Sequence, residues 1–167
     1  MAVILVGGGS RSGKSRHALE LARARGERRL FVATAQSFDE EMHDRARAHR
    51  AERGGDFATA EEPLDVAGVI ERGSFDVAVV DCLTLWLSNL MAAGDRDVEA
   101  ETERLVRAAA APEAAVILVT NEVGCGIVPE NALARRFRDH AGRLNQRAAA
   151  AAREVYWMVF GCALRVK

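Results

Sequence analysis

The chain has 167 residues and a mass of 18.1 kDa, which is room for one compact domain spanning 1–167 and little space for a separate substrate module. Its 23 Lys and Arg against 24 Asp and Glu leave a formal charge of −1, so no global field draws it to nucleic acid or an anionic membrane, and basic chemistry must be local. A hydrophobic share of 49% with 28% charged residues excludes a disordered chain, and 5% aromatics leave the core to Val, Leu, Ile and Ala. Three scattered cysteines, Cys82, Cys125 and Cys162, suit neither a disulfide framework nor a zinc site, and reduced thiols in the cytoplasm are the expectation. The apolar run from Ala2 to Val6 is too short for a signal-peptide core or a membrane span and reads as a first strand.

In chain order, nearly continuous apolar runs predict strands at 3–6, 30–34, 77–81, 116–120 and 155–160, the pattern of strands buried on both faces. Between them, Ala, Leu, Arg and Glu-rich stretches predict helices over 14–24, 39–53, 63–72, 83–92, 98–110 and 129–153. The second helix starts at Ser37, whose spacing to Glu40 matches a capping box. In the last, Leu133, Phe137, Ala141, Leu144 and Ala148 recur every three or four positions and predict one buried stripe. The alternation of strands and helices predicts an α/β fold, a mostly parallel β-sheet with helices on both faces. There is no internal repeat, and the glycine-containing stretches at 54–56 and 94–97 read as loops.

Directly after the first strand stands Gly8-Gly9-Ser10-Arg11-Ser12-Gly13-Lys14-Ser15, which fits G-x-x-x-x-G-K-[ST] between a predicted strand and a predicted helix. Glycines let the backbone turn its N–H groups onto phosphate oxygens, and the helix that follows adds the positive end of its dipole. In such a loop Lys14 reaches the β- and γ-phosphates and the Ser15 hydroxyl ligates Mg²⁺. The strand at 77–81 ends in Asp81, placed either to hold the metal or to cap the next helix. A later strand ends in Thr120-Asn121-Glu122, again polar at the edge where open α/β sheets bind ligands. These features define a P-loop NTPase-like protein. They do not separate a kinase from a switch or a motor, although no Asn-Lys-x-Asp guanine-reading motif follows a later strand.

The remaining motifs narrow the choice: Phe31-Val32-Ala33-Thr34-Ala35, Asp39-Glu40-Glu41-Met42, Arg45, His49, Thr59-Ala60-Glu61, Asp81-Cys82-Leu83-Thr84-Leu85-Trp86, the run from Asn121 to Pro129, and the run from Arg136 to Gln146. Together with the phosphate loop, their order resembles the bifunctional adenosylcobinamide kinase / adenosylcobinamide-phosphate guanylyltransferase family, from the first strand to Lys167. The resemblance implies an enzyme of coenzyme B12 assembly. Such an enzyme phosphorylates adenosylcobinamide with ATP or GTP, then transfers GMP from GTP onto adenosylcobinamide phosphate through a GMP–histidine intermediate. It further implies His49 as the guanylylated residue, and nucleotide contacts at Gly8 to Ser15, at Ala33, Thr34 and Ala35, at Arg50, Ala51, Glu52 and Arg53, and at Glu61 and Asp81. A homotrimer that holds the corrinoid between subunits is also implied.

Histidine suits the chemistry on its own account. An imidazole of unperturbed pKa near 6.5 is largely unprotonated at neutral pH, and a covalent intermediate divides one difficult displacement into two easier ones. Four histidines compete for that role: His17 reads as packing beside the phosphate loop, and His43 and His140 as solvent-facing. Trp86 and Trp157 read as core or subunit contacts, Arg23, Arg25, Arg28 and Arg29 as solvated charge, and Cys82 and Cys125 as buried or small-residue positions. Glu61 either caps the following helix or accepts two N–H bonds from a guanine edge. The sequence departs from the family pattern at Ser10, Phe31 and Gly161-Cys162. The competing readings are another P-loop small-molecule or nucleoside kinase, which needs no nucleophilic histidine, and a nucleotide-dependent regulator.

Overall fold

The computed structural model describes residues 2–36, 54–94 and 96–167. The helix predicted over 39–53 lies outside them, and with it Ser37, His43, Arg45, His49, Arg50, Ala51, Glu52 and Arg53.

The described elements are β1 (Ala2–Gly8), α1 (Lys14–Arg23), β2 (Arg29–Ala33), β3 (Ala58–Glu61), α2 (Val66–Arg72), β4 (Val77–Asp81), α3 (Leu83–Ala93), α4 (Val98–Ala110), β5 (Ala115–Asn121), α5 (Ala132–Ala151), β6 (Glu154–Val159) and β7 (Cys162–Arg165). One seven-stranded sheet runs in the order β3-β2-β4-β5-β1-β6-β7. All pairs are parallel except the terminal β6–β7 hairpin. The chain leaves β1 for β2 on one side and reaches β6 from β5 on the other, so β1 is where the strand order reverses. Open α/β sheets bind ligands beyond the carboxyl ends of their strands at such a point.

The period of two along a strand sends alternate residues to opposite faces, and the core divides accordingly. Val3, Leu5, Ala78, Val80, Val116 and Leu118 point to the face covered by α2, α3, α4 and α5. Ile4, Val6, Val77, Val79, Ile117 and Val119 point to the other, which α1 covers with Ala18, Leu19 and Ala22. The α3 residues Leu83, Trp86, Leu87 and Leu90 are at most 1% exposed, each side chain contributing about 2 kcal/mol of burial. Side-chain caps hold three helix starts: Asp65 accepts from Gly68 N, Asp97 from Glu99 N and Ala100 N, and Asn131 from Ala134 N.

Two strands carry no sequence signal of their own. In β3, Ala58, Thr59 and Glu61 are exposed, and β7 is exposed throughout. Both are short edge strands held by backbone pairing, with no apolar run to announce them. Two helices begin later than their composition predicts. The turn before α2 is built by the Glu62 carboxylate, which accepts from Leu64 N at 2.9 Å and Asp65 N at 2.8 Å. Helix α5 begins after Asn131, and its first turn is exposed; Leu133 is 61% exposed, so the buried stripe starts at the half-buried Phe137 and deepens at Ala141, Leu144 and Ala148.

The basic cluster is paired, not merely solvated. Arg23 and Arg29 meet Asp56, Arg28 grips Asp76 at 2.7 Å, and Arg25 meets Glu154 at 3.0 Å. His140 also departs from expectation: its Nδ1 lies 3.6 Å from Glu99 on α4, with only 20% of its side chain exposed. Trp86 is core, and its Nε1 donates to Leu64 O at 2.9 Å, so it offers no subunit contact. Cys82 is buried, whereas Cys125 and Cys162 are exposed. Burial, reinforced by the Asp81 charge, pushes the Cys82 thiol up to about 11, leaving almost no thiolate near neutral pH. An excess of a thiol-specific disulfide reagent at pH 8 is therefore expected to titrate two thiols in the native protein and the third only on unfolding. Rapid native reaction of all three would contradict the burial of Cys82.

Candidate active site

β1 delivers the chain into the loop through Gly8, whose φ is 151°. A Cβ there would lie 2.8 Å from Met158 O and 2.9 Å from Ser12 Oγ, so only glycine fits between the loop and β6. The loop then passes through Arg11 at φ 54° and enters α1 at Gly13, whose φ of 94° is the left-handed geometry that glycine tolerates. Gly9, Ser10 and Arg11 are exposed, while Ser12 and Lys14 are 8% and 7% exposed. The Lys14 ammonium folds back over the loop, donating to Gly9 O and, at 3.4 Å, to Ser12 Oγ. Burial lowers its pKa, with the negative charge of Asp81 opposing. A desolvated cation on a glycine-lined turn at a helix N-terminus is suited to receive phosphate oxygens.

The other described residues singled out in the sequence lie along the same sheet edge. Asp81 closes β4 in register with Ala33 of β2, and Ala33 is in register with Glu61 of β3. Asp81 does not occupy the cap position of α3; that is Cys82. Likewise Glu62 and Asp65, not Glu61, build the start of α2. The sheet thus leaves Asp81 on the loop side and carries Glu61 to the far edge, four strand spacings from β1, roughly 19 Å. Ser15 stands in the first turn of α1, half-buried. Among the described residues no three His, Cys, Asp or Glu side chains form a metal cluster. Ser15 and Asp81 nevertheless fit Mg²⁺, which keeps several waters and is held by one or two protein groups plus substrate phosphates.

Thr34 is fully buried and acts on its neighbours. Its hydroxyl donates to Cys82 O at 2.8 Å and accepts from Cys82 N at 2.7 Å, while its own N–H reaches Asp81 O at 3.2 Å. It fastens the end of β2 to the peptide that carries Asp81. Thr34→Val keeps the shape and removes both side-chain bonds. The expected loss is about 2 kcal/mol, on the order of 5 °C in Tm for a chain of this size. A thermal melt with an unchanged midpoint would show that Thr34 does not hold this edge together.

One positioning residue, Asn89, was not singled out in the sequence. Asn89 Nδ2 donates to Thr34 O at 2.8 Å and Pro63 O at 3.1 Å, tying α3 to the ends of β2 and the turn after β3. Its signal was the one amide within a mostly apolar run from Leu83 to Ala93. Thr84 Oγ1 accepts from Asn121 N at 2.8 Å, and Thr120 Oγ1 donates to Asn145 Oδ1 at 2.7 Å. The run from Asn121 to Pro129 is pinned by Glu122 N donating to Gly8 O at 3.1 Å and by Arg138 reaching Gly124 O. This run therefore borders the phosphate loop. His17 bears out the packing reading: its ring meets Tyr156 edge-on at 5.0 Å, and burial lowers its pKa. Trp157 lies over Gly7, 3.6 Å from where a Cβ would stand. A groove bordered by Arg28, Arg29, Asp56 and Phe57 carries paired charges and contains none of the loop residues.

Comparison with known proteins agrees with this geometry. The chain is 42% identical to the bifunctional adenosylcobalamin biosynthesis protein CobU of Salmonella typhimurium over 99% of both chains. It is 41% identical to the protein of the same name in Escherichia coli, again over 99% of both. It is also 41% identical to the bifunctional adenosylcobalamin biosynthesis protein CobP of Pseudomonas aeruginosa, over 98% of this chain and 96% of that one. Among solved structures, the RadB recombinase superposes with a TM-score of 0.56 at 19% identity, over 93% of this chain and 73% of that one. A prototypical ATPase from the type III secretion system of pathogenic bacteria superposes with 0.53 at 10%, over 95% and 51%. These likenesses confirm a P-loop NTPase-like fold and extend no further. The family model described as cobinamide kinase / cobinamide phosphate guanyltransferase matches residues 4–166, and the chain belongs to that family.

Proposed function

We propose that this chain phosphorylates the aminopropanol hydroxyl of adenosylcobinamide with ATP or GTP and then converts adenosylcobinamide phosphate to adenosylcobinamide-GDP with GTP. The observation that carries the reading is the glycine-lined loop with Lys14 desolvated beside Asp81, in a chain of this family. The amides of Gly8, Gly9, Ser10, Arg11, Ser12 and Gly13 and the Lys14 ammonium hold phosphate oxygens, neutralising charge as the transferred group passes between oxygens. The Ser15 hydroxyl and the Asp81 carboxylate would hold Mg²⁺, which when bound would supply neutralisation of phosphate charge.

In the second reaction a ring nitrogen of His49 attacks the α-phosphorus of GTP. The N–P bond forms as the bond to the β-phosphate oxygen breaks, releasing pyrophosphate. A phosphate oxygen of adenosylcobinamide phosphate then attacks the same phosphorus and the N–P bond breaks, freeing the imidazole. Ala33, Thr34, Ala35, Arg50, Ala51, Glu52, Arg53 and Glu61 contact the nucleotide, with Thr34 acting through the backbone that carries Asp81 and Glu61 accepting from a guanine edge. The family resemblance further implies a homotrimer that holds the corrinoid between subunits, and a cytoplasmic location.

The test is incubation with Mg²⁺ and GTP labelled at the α-phosphate. Label should appear on the protein, labile to acid and stable to base, and should move to product when adenosylcobinamide phosphate is added. An active kinase preparation that never takes up label would leave only the simpler small-molecule kinase reading.

A further inference from the structure

The β6–β7 hairpin presents an arrangement that the chemistry above does not use. Its two-residue turn is Phe160-Gly161, with φ of 51° and 82°, between the paired residues Val159 and Cys162. Positive φ at both positions is the geometry that favours Asn, Asp or Gly. A phenylalanine there carries a steric cost, and its side chain is also 98% exposed. The turn is locked to the phosphate loop: Gly161 N donates to Ser12 O at 3.2 Å, and a Cβ on Gly13 would lie 3.5 Å from Gly161 Cα. Arg16, in the first turn of α1, brings Nη2 to 3.5 Å from the Cβ positions of both Gly13 and Gly161. An exposed aromatic residue and a guanidinium therefore stand beside the loop on its β6 side.

We propose that Phe160 is the stacking platform for the purine of the nucleoside triphosphate that serves as phosphoryl donor, with Arg16 on its α-phosphate. The proposal deepens the phosphate-loop reading and rests on it. A nucleotide gripped by its β- and γ-phosphates in the loop continues through its α-phosphate and ribose past the first turn of α1, where Arg16 and then the Phe160 ring stand. Stacking accepts adenine and guanine alike, because every base has a π-face; a donor site open to ATP and GTP needs that tolerance. The nucleotide contacts implied at Ala33 of β2 and at Glu61 of β3, the residue read as accepting from a guanine edge, lie on the opposite side of β1. One loop can thus grip a triphosphate in two directions, with the base over Phe160 for γ-transfer and towards Glu61 for α-transfer.

Phe160→Asn suits the turn better than the native residue and removes only the ring. The test compares equilibrium binding of a non-hydrolysable ATP analogue and of inorganic tripolyphosphate, in wild type, Phe160→Asn and Phe160→Trp. Stacking predicts that Asn weakens the ATP analogue about tenfold to a hundredfold, leaves tripolyphosphate unchanged, and that Trp restores analogue binding. Unchanged analogue binding in Phe160→Asn overturns the proposal, as does a matching loss of tripolyphosphate, which would indicate a distorted loop. A smaller particle by light scattering with unchanged affinities would assign the ring to a contact between copies instead. Wild-type protein that binds neither ligand would refute the phosphate-loop reading itself, and the proposal with it.

Discussion

Lys14→Met is expected to lower both corrinoid phosphorylation and guanylyl transfer by at least a hundredfold to a thousandfold, the scale on which losing one preorganised charge-stabilising group acts. Both reactions place negative charge on phosphate oxygens, and Lys14 is the buried cation of the loop that receives them. Misfolding is separable from this effect. Burial depresses the Lys14 pKa below its ordinary 10.5, so the free protein carries a desolvated charge at neutral pH. A methionine of similar length removes that cost, and replacing a buried charge with a packed apolar group is often neutral or stabilising.

The sign follows from linkage. A lysine whose folded pKa lies below its unfolded value penalises folding below the folded pKa, and the penalty fades as pH rises through that value towards 10.5. The variant should therefore melt at or above the wild-type temperature at pH 7, with the difference shrinking in alkaline buffer, while both rates collapse. Retention of either activity near the wild-type rate would require a second nucleotide site that does not use this loop.

What the sequence disclosed depended on whether the signal was local. The phosphate loop was legible because its glycines answer local demands: Gly8 and Gly13 both take a positive φ within one turn between strand and helix. The apolar runs of β1, β4 and β5 became buried central strands because burial on both faces requires continuous hydrophobicity, and the runs at β2 and β6 became strands that are partly buried. The short edge strands β3 and β7 escaped because their pairing is supplied by β2 and β6. Leu133 obeyed the helical period yet lies in an exposed first turn, since periodicity marks a face without saying how far along the helix the core extends. The ion pairs of Arg23, Arg25, Arg28 and Arg29 join residues distant in sequence, as does the link from Thr34 to Cys82. The competing cap roles of Asp81 and Glu61 were undecidable from spacing. They resolved only when Cys82 took the cap position of α3 and Glu62 and Asp65 built the start of α2.

His49→Ala should divide the two reactions that Lys14→Met removes together. Without the imidazole there is no nitrogen to form the N–P bond, so acid-labile label from α-labelled GTP should vanish and guanylyl transfer should fall on the order of a thousandfold or more, as expected when a covalent nucleophile is lost. Phosphorylation of adenosylcobinamide needs only the loop, the metal and the corrinoid hydroxyl, and should continue. The split is the informative result, because a misfolded variant loses both activities and a kinase without a covalent step loses neither. Label persisting on His49→Ala would assign the nucleophile elsewhere. His17 is a poor candidate, since its ring is packed against Tyr156 and its Nδ1 lies 3.9 Å from Glu20. A His17→Asn variant should accordingly keep its label, and loss of label there with retention in His49→Ala would reverse the assignment.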